Sequence, residues 1–357
     1  MAQLAFFFFL IFPLFIQAKS LSIEFYGEST LPKKTIVGGE LVGGLSGIFW
    51  NGKRLYSVSD DRGKYGKPRF FEFDLIIKNS TVKLEPLKAI KLEGIDSMWR
   101  LDLEGISLLP NGDFVFTSEG DNNVKPRALP KVFITNANGA YKSELLVPSK
   151  FLPDLLGQQK KGIQNNRGFE GLTSSSDGQN IYIMNESPIM GDQNSKKDAQ
   201  WLRMVHYIKD GDSFKFYEEY AYLLDRQDKT GKGTEVFRGL TDVLYVGDSK
   251  FITLERGTRL GSQGFTYAAA IYLVDFSKSK DVSTIDNLSL SNAVSARKER
   301  LIDFEKALIK FKIENYEGLS WGPVLLDGRR TLLVLSDNNF SNRENTQLLV
   351  FAVKEVE

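Results

Sequence analysis

Acidic residues recur along this chain at one place in a repeated phrase. Gly-(Leu/Ile)-(Ser/Thr) opens a predicted strand five times, and an acid closes the strand that follows. The copies run from Gly44-Leu45-Ser46 to Asp60, Gly105-Ile106-Ser107 to Glu119, Gly171-Leu172-Thr173 to Glu186, Gly239-Leu240-Thr241 to Glu255 and Gly318-Leu319-Ser320 to Asp337. In three copies a glutamate precedes the glycine, as Glu104, Glu170 and Glu317, and Asp61 follows Asp60. In an antiparallel hairpin the residue opening the first strand lies beside the residue closing the second. Glu104 is therefore expected beside Glu119, Glu170 beside Glu186 and Glu317 beside Asp337, with Asp60, Asp61 and Glu255 at equivalent points. Carboxylates gathered in this way at one mouth of a ring cannot all stay ionised without cations. Hard oxygen donors in that number suit Ca²⁺, which accepts about six to eight oxygens in flexible geometry.

Arginines interleave with these acids. Arg62 follows Asp60-Asp61, Arg100 precedes Asp102-Leu103-Glu104, Arg167 precedes Gly168-Phe169-Glu170, Arg238 replaces the glutamate of the fourth copy and Arg256 follows Glu255. Such alternation either neutralises the ring as an ion-pair network or recognises an anion, since guanidinium matches phosphate bidentately. Other chemistries find little support. With a single histidine, His206, and no cysteine, the chain has no zinc site of the usual kind. His206 lies in an apolar run, Met204-Val205-His206-Tyr207, and reads as a packed or edge residue rather than a triad base. Gly43-Gly44-Leu45-Ser46-Gly47 lacks the lysine of a phosphate loop. A formal net charge of +1 is too balanced for a nucleic-acid partner.

The elements that would position the acids follow from the spacing. The repeat glycines are separated by 61, 66, 68 and 79 residues, too long for a helical solenoid and suited to four-stranded propeller blades with generous loops. A turn pair divides each opening hairpin: Asn51-Gly52, Asn111-Gly112, Asp177-Gly178, Gly247-Asp248 and Asp327-Gly328. Second hairpins are predicted over 69–77 with 82–90, 131–136 with 141–147, 202–209 with 214–222, and 269–276 with a partner the pattern leaves unclear. The fifth unit has only 347–353 before the chain ends, so segment 22–26 is expected to supply its outer strand and close the ring from both termini. The fold expected is an all-β propeller, five blades counted and a sixth possible, in a single domain. Trp50 and Trp321 follow equivalent glycines and read as core, whereas Trp99 and Trp201 could line the mouth.

Residues 4–16 are strongly apolar and precede Gln17-Ala18-Lys19-Ser20. That run is shorter than the roughly 20 apolar residues of a spanning helix, and Ala18 is small enough for cleavage. Residues 1–18 are expected to be a signal peptide and 19–357 the propeller. With no cysteine, the exported protein owes nothing to disulfides, which favours a secreted or periplasmic protein of a bacterial envelope. No stable membrane insertion is expected after cleavage, and the chain is expected to be monomeric.

The phrases Asp102-Leu103-Glu104-Gly105-Ile106-Ser107, Gly168-Phe169-Glu170-Gly171-Leu172-Thr173 and Asn315-Tyr316-Glu317-Gly318-Leu319-Ser320 form a set with Ser57-Val58-Ser59-Asp60-Asp61-Arg62 and Leu335-Ser336-Asp337. Together they resemble the phytase-like domain family, also called the esterase-like activity of phytase family, over roughly residues 40–350. The resemblance implies an exported propeller with an acidic functional face and hydrolysis of phosphate esters. Carried over residue by residue, it puts the metal role on Asp60, Asp61, Glu104, Glu119, Glu170, Glu186, Glu255, Glu317 and Asp337. Glu104, Glu170 and Glu317 are the catalytic candidates among them. Arg62, Arg100, Arg167, Arg238 and Arg256 are then candidates to bind a small phosphorylated substrate. Gly43 and Arg238 depart from the pattern, which sets a metal-binding side against a substrate-clamping side. The expected chemistry has Ca²⁺ bridging phosphate oxygens while a carboxylate takes the proton of an attacking water. Two other functions fit the same residues: a Ca²⁺-dependent lactonase or arylesterase, and a non-enzymatic binding propeller.

Overall fold

The strand Arg330–Asp337 shows why this sequence builds a ring. Its Leu332 and Val334 enter one apolar cluster while Leu333 and Leu335 enter another. Successive side chains of a strand point to opposite faces, so an unbroken apolar run means that both faces are covered. Strand Asn180–Asn185 behaves alike: Ile181 and Ile183 pack on one side, Tyr182 and Met184 on the other. Each sheet can bury both faces only between two neighbours, and a closed ring gives every sheet two.

The computed structural model describes residues 20–79, 81–96, 99–192, 200–225, 233–262 and 264–356. The expected signal peptide lies outside them, as does most of the loops at 191–200 and 226–233. Five four-stranded antiparallel sheets form five blades. From the channel outward, blade I holds Leu45–Trp50, Leu55–Ser59, Arg69–Lys78 and Thr81–Lys91. Blade II holds Leu103–Leu108, Phe114–Ser118, Lys131–Thr135 and Tyr141–Leu145. Blade III holds Phe169–Ser174, Asn180–Asn185, Trp201–Asp210 and Ser213–Leu223. Blade IV holds Thr234–Gly247, Lys250–Gly261, Gly264–Asp275 and Arg297–Asp303, which supplies the partner the sequence pattern left unclear. Blade V holds Asn315–Trp321, Arg330–Asp337 and Gln347–Val356, with Ser20–Thr30 from the start of the chain outermost. The fold is thus a five-bladed β-propeller, with no sixth blade among the described residues.

Five apolar clusters fill the five spaces between neighbouring blades, and the inner strands touch one another around the ring. Contact between inner strands is close because four of the five meet the neighbouring blade at a glycine. A Cβ on Gly47 would stand 2.5 Å from Glu104 O, one on Gly105 2.5 Å from Leu172 Cβ, and one on Gly318 2.7 Å from Ser46 O. Hydroxyls of the repeated phrase tie blades together: Ser320 accepts from the Trp50 N–H and Thr173 from the Tyr245 N–H, both at 3.0 Å.

The N-terminal strand closes the ring. Ser20 pairs with Val356 and Thr30 with Gln347, and Leu21, Ile23 and Phe25 pack onto the cluster between blades IV and V. Deleting residues 20–30 is expected to expose the whole edge of Gln347–Val356, lowering the thermal midpoint and producing aggregates visible by light scattering.

Candidate functional site

Where inner and second strands meet at one end of the channel, every blade carries a β-bulge, and the bulges set the true alignment of the repeats. The ladder skips between Leu45 and Ile48, Leu103 and Ile106, Phe169 and Gly171, Leu240 and Asp242, and Tyr316 and Gly318. A bulged residue leaves the ladder and its side chain is re-aimed. In blades II, III and V that residue is Glu104, Glu170 or Glu317; in blades I and IV the same place falls to Ser46 and Thr241. This corrects the expectation that Gly43 and Arg238 replace the glutamate, because the phrase in those two blades is displaced by three residues. The closing positions follow from the same frame. Asp60 N–H donates to Gly44 O, Glu119 N–H to Asp102 O and Glu186 N–H to Gly168 O, while Arg256 pairs with Gly239 and Asp337 with Asn315. The closing ring is Asp60, Glu119, Glu186, Arg256 and Asp337: four acids and one arginine.

Glu255 is one residue short of that ring, and a shift of one residue turns a side chain to the other face. It lies instead between blades III and IV, accepting from Tyr222 OH at 2.6 Å and pairing with Lys298. Asp61 is placed at the cavity wall, but its oxygens accept from the Gly63 and Tyr65 N–H groups and from Arg69 Nη1 at 2.8 Å. That anchor presents Arg62, Lys64 and Tyr65 to the mouth. On the backbone Asp102, not Glu104, lies opposite Glu119, but the side chains meet as expected, Glu104 with Glu119 and Glu317 with Asp337.

Asp60, Asp61, Asp102, Glu104, Glu170, Glu186, Arg256 and Glu317 line a cavity of about 390 Å³, whereas Glu119 and Asp337 are not part of its lining. Two carboxylate trios stand out: Asp60 with Glu317 and Asp337 at the seam of blades V and I, and Asp102 with Glu104 and Glu119 on blade II. In each trio, one oxygen from every residue lies within 4.8 Å of the others. Oxygens this close could serve as ligands of one shared hard cation. Buried oxygens lack partners in both: Glu119 Oε2 has none, and neither Asp337 oxygen makes a hydrogen bond of normal geometry, although the nearby Asn339 N–H pulls its pKa down. Glu170 Oε2 is likewise unpartnered, and its charge neighbours include Glu104, Glu119 and Glu317 of both trios. The donors present fit a hard divalent cation.

Electrostatics agree. Burial first, then mutual repulsion, holds Asp60, Glu104, Glu119, Glu170 and Asp337 well above the carboxylate range. Burial raises Asp102 to about 6 against the pull of Arg62, and Glu186 to about 7 against that of Arg256. A carboxyl raised in the folded chain keeps protons that the unfolded chain, near pH 4, has released. Stability of the cation-free protein is therefore present below the unfolded value and lost as pH rises through about 6 to 7. Melting curves in chelator are expected to move down between about pH 5 and pH 8, with Ca²⁺ flattening the fall.

The five candidate arginines separate. Arg62 lines the cavity and holds Asp102 through Nε at 2.6 Å; Arg256 lines it and pairs with Glu186 at 2.6 Å and Glu317 at 2.5 Å. Arg100 reaches Asp121 at 3.5 Å, Arg167 stacks over Phe237, and Arg238 is buried with Glu235 4.0 Å away; none of the three lines the cavity. Trp201 is buried in a separate cluster and Trp99 packs on Phe133 and Tyr141, so neither lines the mouth as their positions suggested. His206 is packed on Tyr182 and hydrogen-bonded to Asn180 and Glu218.

Sequence reasoning gave no role to Asp102, Lys64, Tyr65, Phe340 or Asp242. Asp242 stands where the other four blades have Gly47, Gly105, Gly171 and Gly318. Its buried carboxylate accepts from the Leu319 N–H at 2.6 Å and the Val243 N–H at 2.8 Å, and is hydrogen-bonded by the Leu172 backbone, linking blades III, IV and V. Burial pushes its pKa well up despite those donors.

A curated relative from Arthroderma benhamiae, an uncharacterised secreted protein, is 27% identical over 213 residues, 54% of this chain and 41% of the relative. The chain thus spans less than half of that relative's length. Among solved structures, an arabinanase of Bacillus subtilis is similar at 12% identity and a TM-score of 0.43, covering 94% of this chain and 97% of that one. The catalytic domain of a Coprinopsis cinerea α-L-arabinofuranosidase is similar at 9% identity and a TM-score of 0.42, covering 94% and 96%. At these scores nothing about those enzymes transfers. Residues 40–340, most of the chain, match the family described as phytase-like, esterase-like activity of phytase, and the protein belongs to that family.

Proposed function

We propose that the protein is an exported hydrolase of phosphate esters that works through a Ca²⁺-loaded acidic mouth. The observation that carries this reading is a cavity lined by Asp60 and Glu317 of one carboxylate trio, Asp102 and Glu104 of the other, Glu170 with its unpartnered Oε2, and a basic rim of Arg62 and Lys64. Asp60, Glu317 and Asp337 would hold one cation, and Asp102, Glu104 and Glu119 a second. When bound, the cations supply charge neutralisation and Lewis-acid polarisation of the ester. Arg62 and Lys64 meet the phosphate oxygens at the open side. Glu170, outside both trios and next to each, takes the proton of the attacking water; its raised proton affinity suits a general base. Export rests on the apolar run at 4–16 and on the secreted relative. No helix among the described residues is long and apolar enough to cross a membrane.

A second reading, an aryl-ester or lactone hydrolase, is favoured by one feature: Tyr65 and Phe340 stack at 4.1 Å on the cavity wall and offer an aromatic face. Phosphomonoesters, phosphodiesters, aryl esters and lactones assayed in Ca²⁺ and in chelator decide between them. Chelator-sensitive phosphate release is the expected result. Turnover of aryl esters or lactones alone supports the second reading, and no hydrolysis in any arm leaves a binding propeller.

A further inference from the structure

Arg256 occupies a place that four other blades give to an acid. Asp60, Glu119, Glu186 and Asp337 close the second strands of blades I, II, III and V, and Arg256 closes that of blade IV. Propeller repeats put equivalent residues at equivalent points around the axis, so its side chain enters the same polar centre as theirs. There it does what a cation would do in the two trios. It bridges carboxylates of different blades, Glu186 of blade III at 2.6 Å and Glu317 of blade V at 2.5 Å, and also binds Asn315. Glu170, about 93% buried, is a further charge neighbour of Arg256, and its Oε2 has no hydrogen-bond partner.

We propose that Arg256 is a built-in substitute for a third divalent cation, so that Glu170, Glu186 and Glu317 form a latent cation site kept shut by the guanidinium. The inference rests on the cation reading of the mouth. It goes beyond that reading by fixing the number of exchangeable ions and by assigning blade IV the side that never exchanges. Arg256 is accordingly a positioning residue, already engaged by two carboxylates and not free to clamp an anion.

The test is ion counting on the full chain, freed of metal with chelator and titrated with CaCl₂ by calorimetry, with native mass spectrometry as the second readout. Arg256→Ala should bind one more Ca²⁺ than the parent chain, and its thermal midpoint should fall in chelator but recover in Ca²⁺. Arg256→Lys, which keeps a positive charge between the carboxylates, should bind the parent number. Equal stoichiometry in the parent and in folded Arg256→Ala overturns the proposal. So does an Arg256→Ala chain that stays unfolded at millimolar Ca²⁺, because a substitute that a cation can replace is not indispensable. A parent chain that binds no ion defeats the proposed function; an Arg256→Ala chain that gains one would still uphold the latent site.

Discussion

Phosphate release by the Glu119→Gln chain is expected to fall by about 10²-fold or more in kcat/KM, with one Ca²⁺ site lost. Glu119 closes blade II, accepts from the Gly168 N–H through Oε1 and leaves Oε2 buried without a partner beside Asp102 and Glu104. An amide keeps the shape and removes the charge that a cation needs. Thermal stability should move the opposite way: in chelator the variant is expected to melt above the parent, because one repelling buried carboxylate has gone. Lower activity joined to higher chelator stability cannot come from simple misfolding. Glu255→Gln is the comparison, since Glu255 faces Tyr222 and Lys298 between blades, and its Ca²⁺ stoichiometry should equal the parent's. Full hydrolytic activity in Glu119→Gln would remove the blade II trio from the mechanism.

Asp242→Ala is expected to destabilise the fold by roughly 3–5 kcal/mol, read as a shift of the urea midpoint. The side chain collects backbone N–H groups on three neighbouring inner strands, and alanine leaves them buried without an acceptor. Asp242→Asn should cost less, because one carbonyl oxygen remains to accept. If the alanine variant melted like the parent, water would have to replace the carboxylate in the channel. Because Asp242 carries no cation in the proposed scheme, Ca²⁺ stoichiometry should not change in either variant.

Blade count and ring closure were legible because they rest on local chemistry. Asn111-Gly112 and Asp177-Gly178 supply the left-handed turn residues, with φ of 86° and 66° at the glycines, and apolar runs such as Leu332-Leu333-Val334-Leu335 signal two covered faces. The acids of blades II, III and V were legible for the same reason. Blades I and IV misled because glycine has two uses here. Gly44 precedes a strand in a left-handed conformation, φ 58°, whereas Gly47 is the glycine that meets the next blade, and similar letters surround both. In blade IV the contact glycine is absent and Asp242 fills its place, so the phrase matches three residues early and points to Glu255 instead of its neighbour Arg256. A bulge adds a residue without any signature of its own, and only the pairing of strands reveals it.

Ser20–Thr30 finds its partner in Gln347–Val356, at the far end of the chain. A ribosome delivers the first of these strands more than 300 residues before the second, an interval during which Leu21, Ile23 and Phe25 have no lasting cover. The seam it closes also brings Asp60 of the first blade to Glu317 and Asp337 of the last. The seam trio therefore cannot assemble until the last blade has been made and the first has met it, whereas Asp102, Glu104 and Glu119 come together within blade II alone.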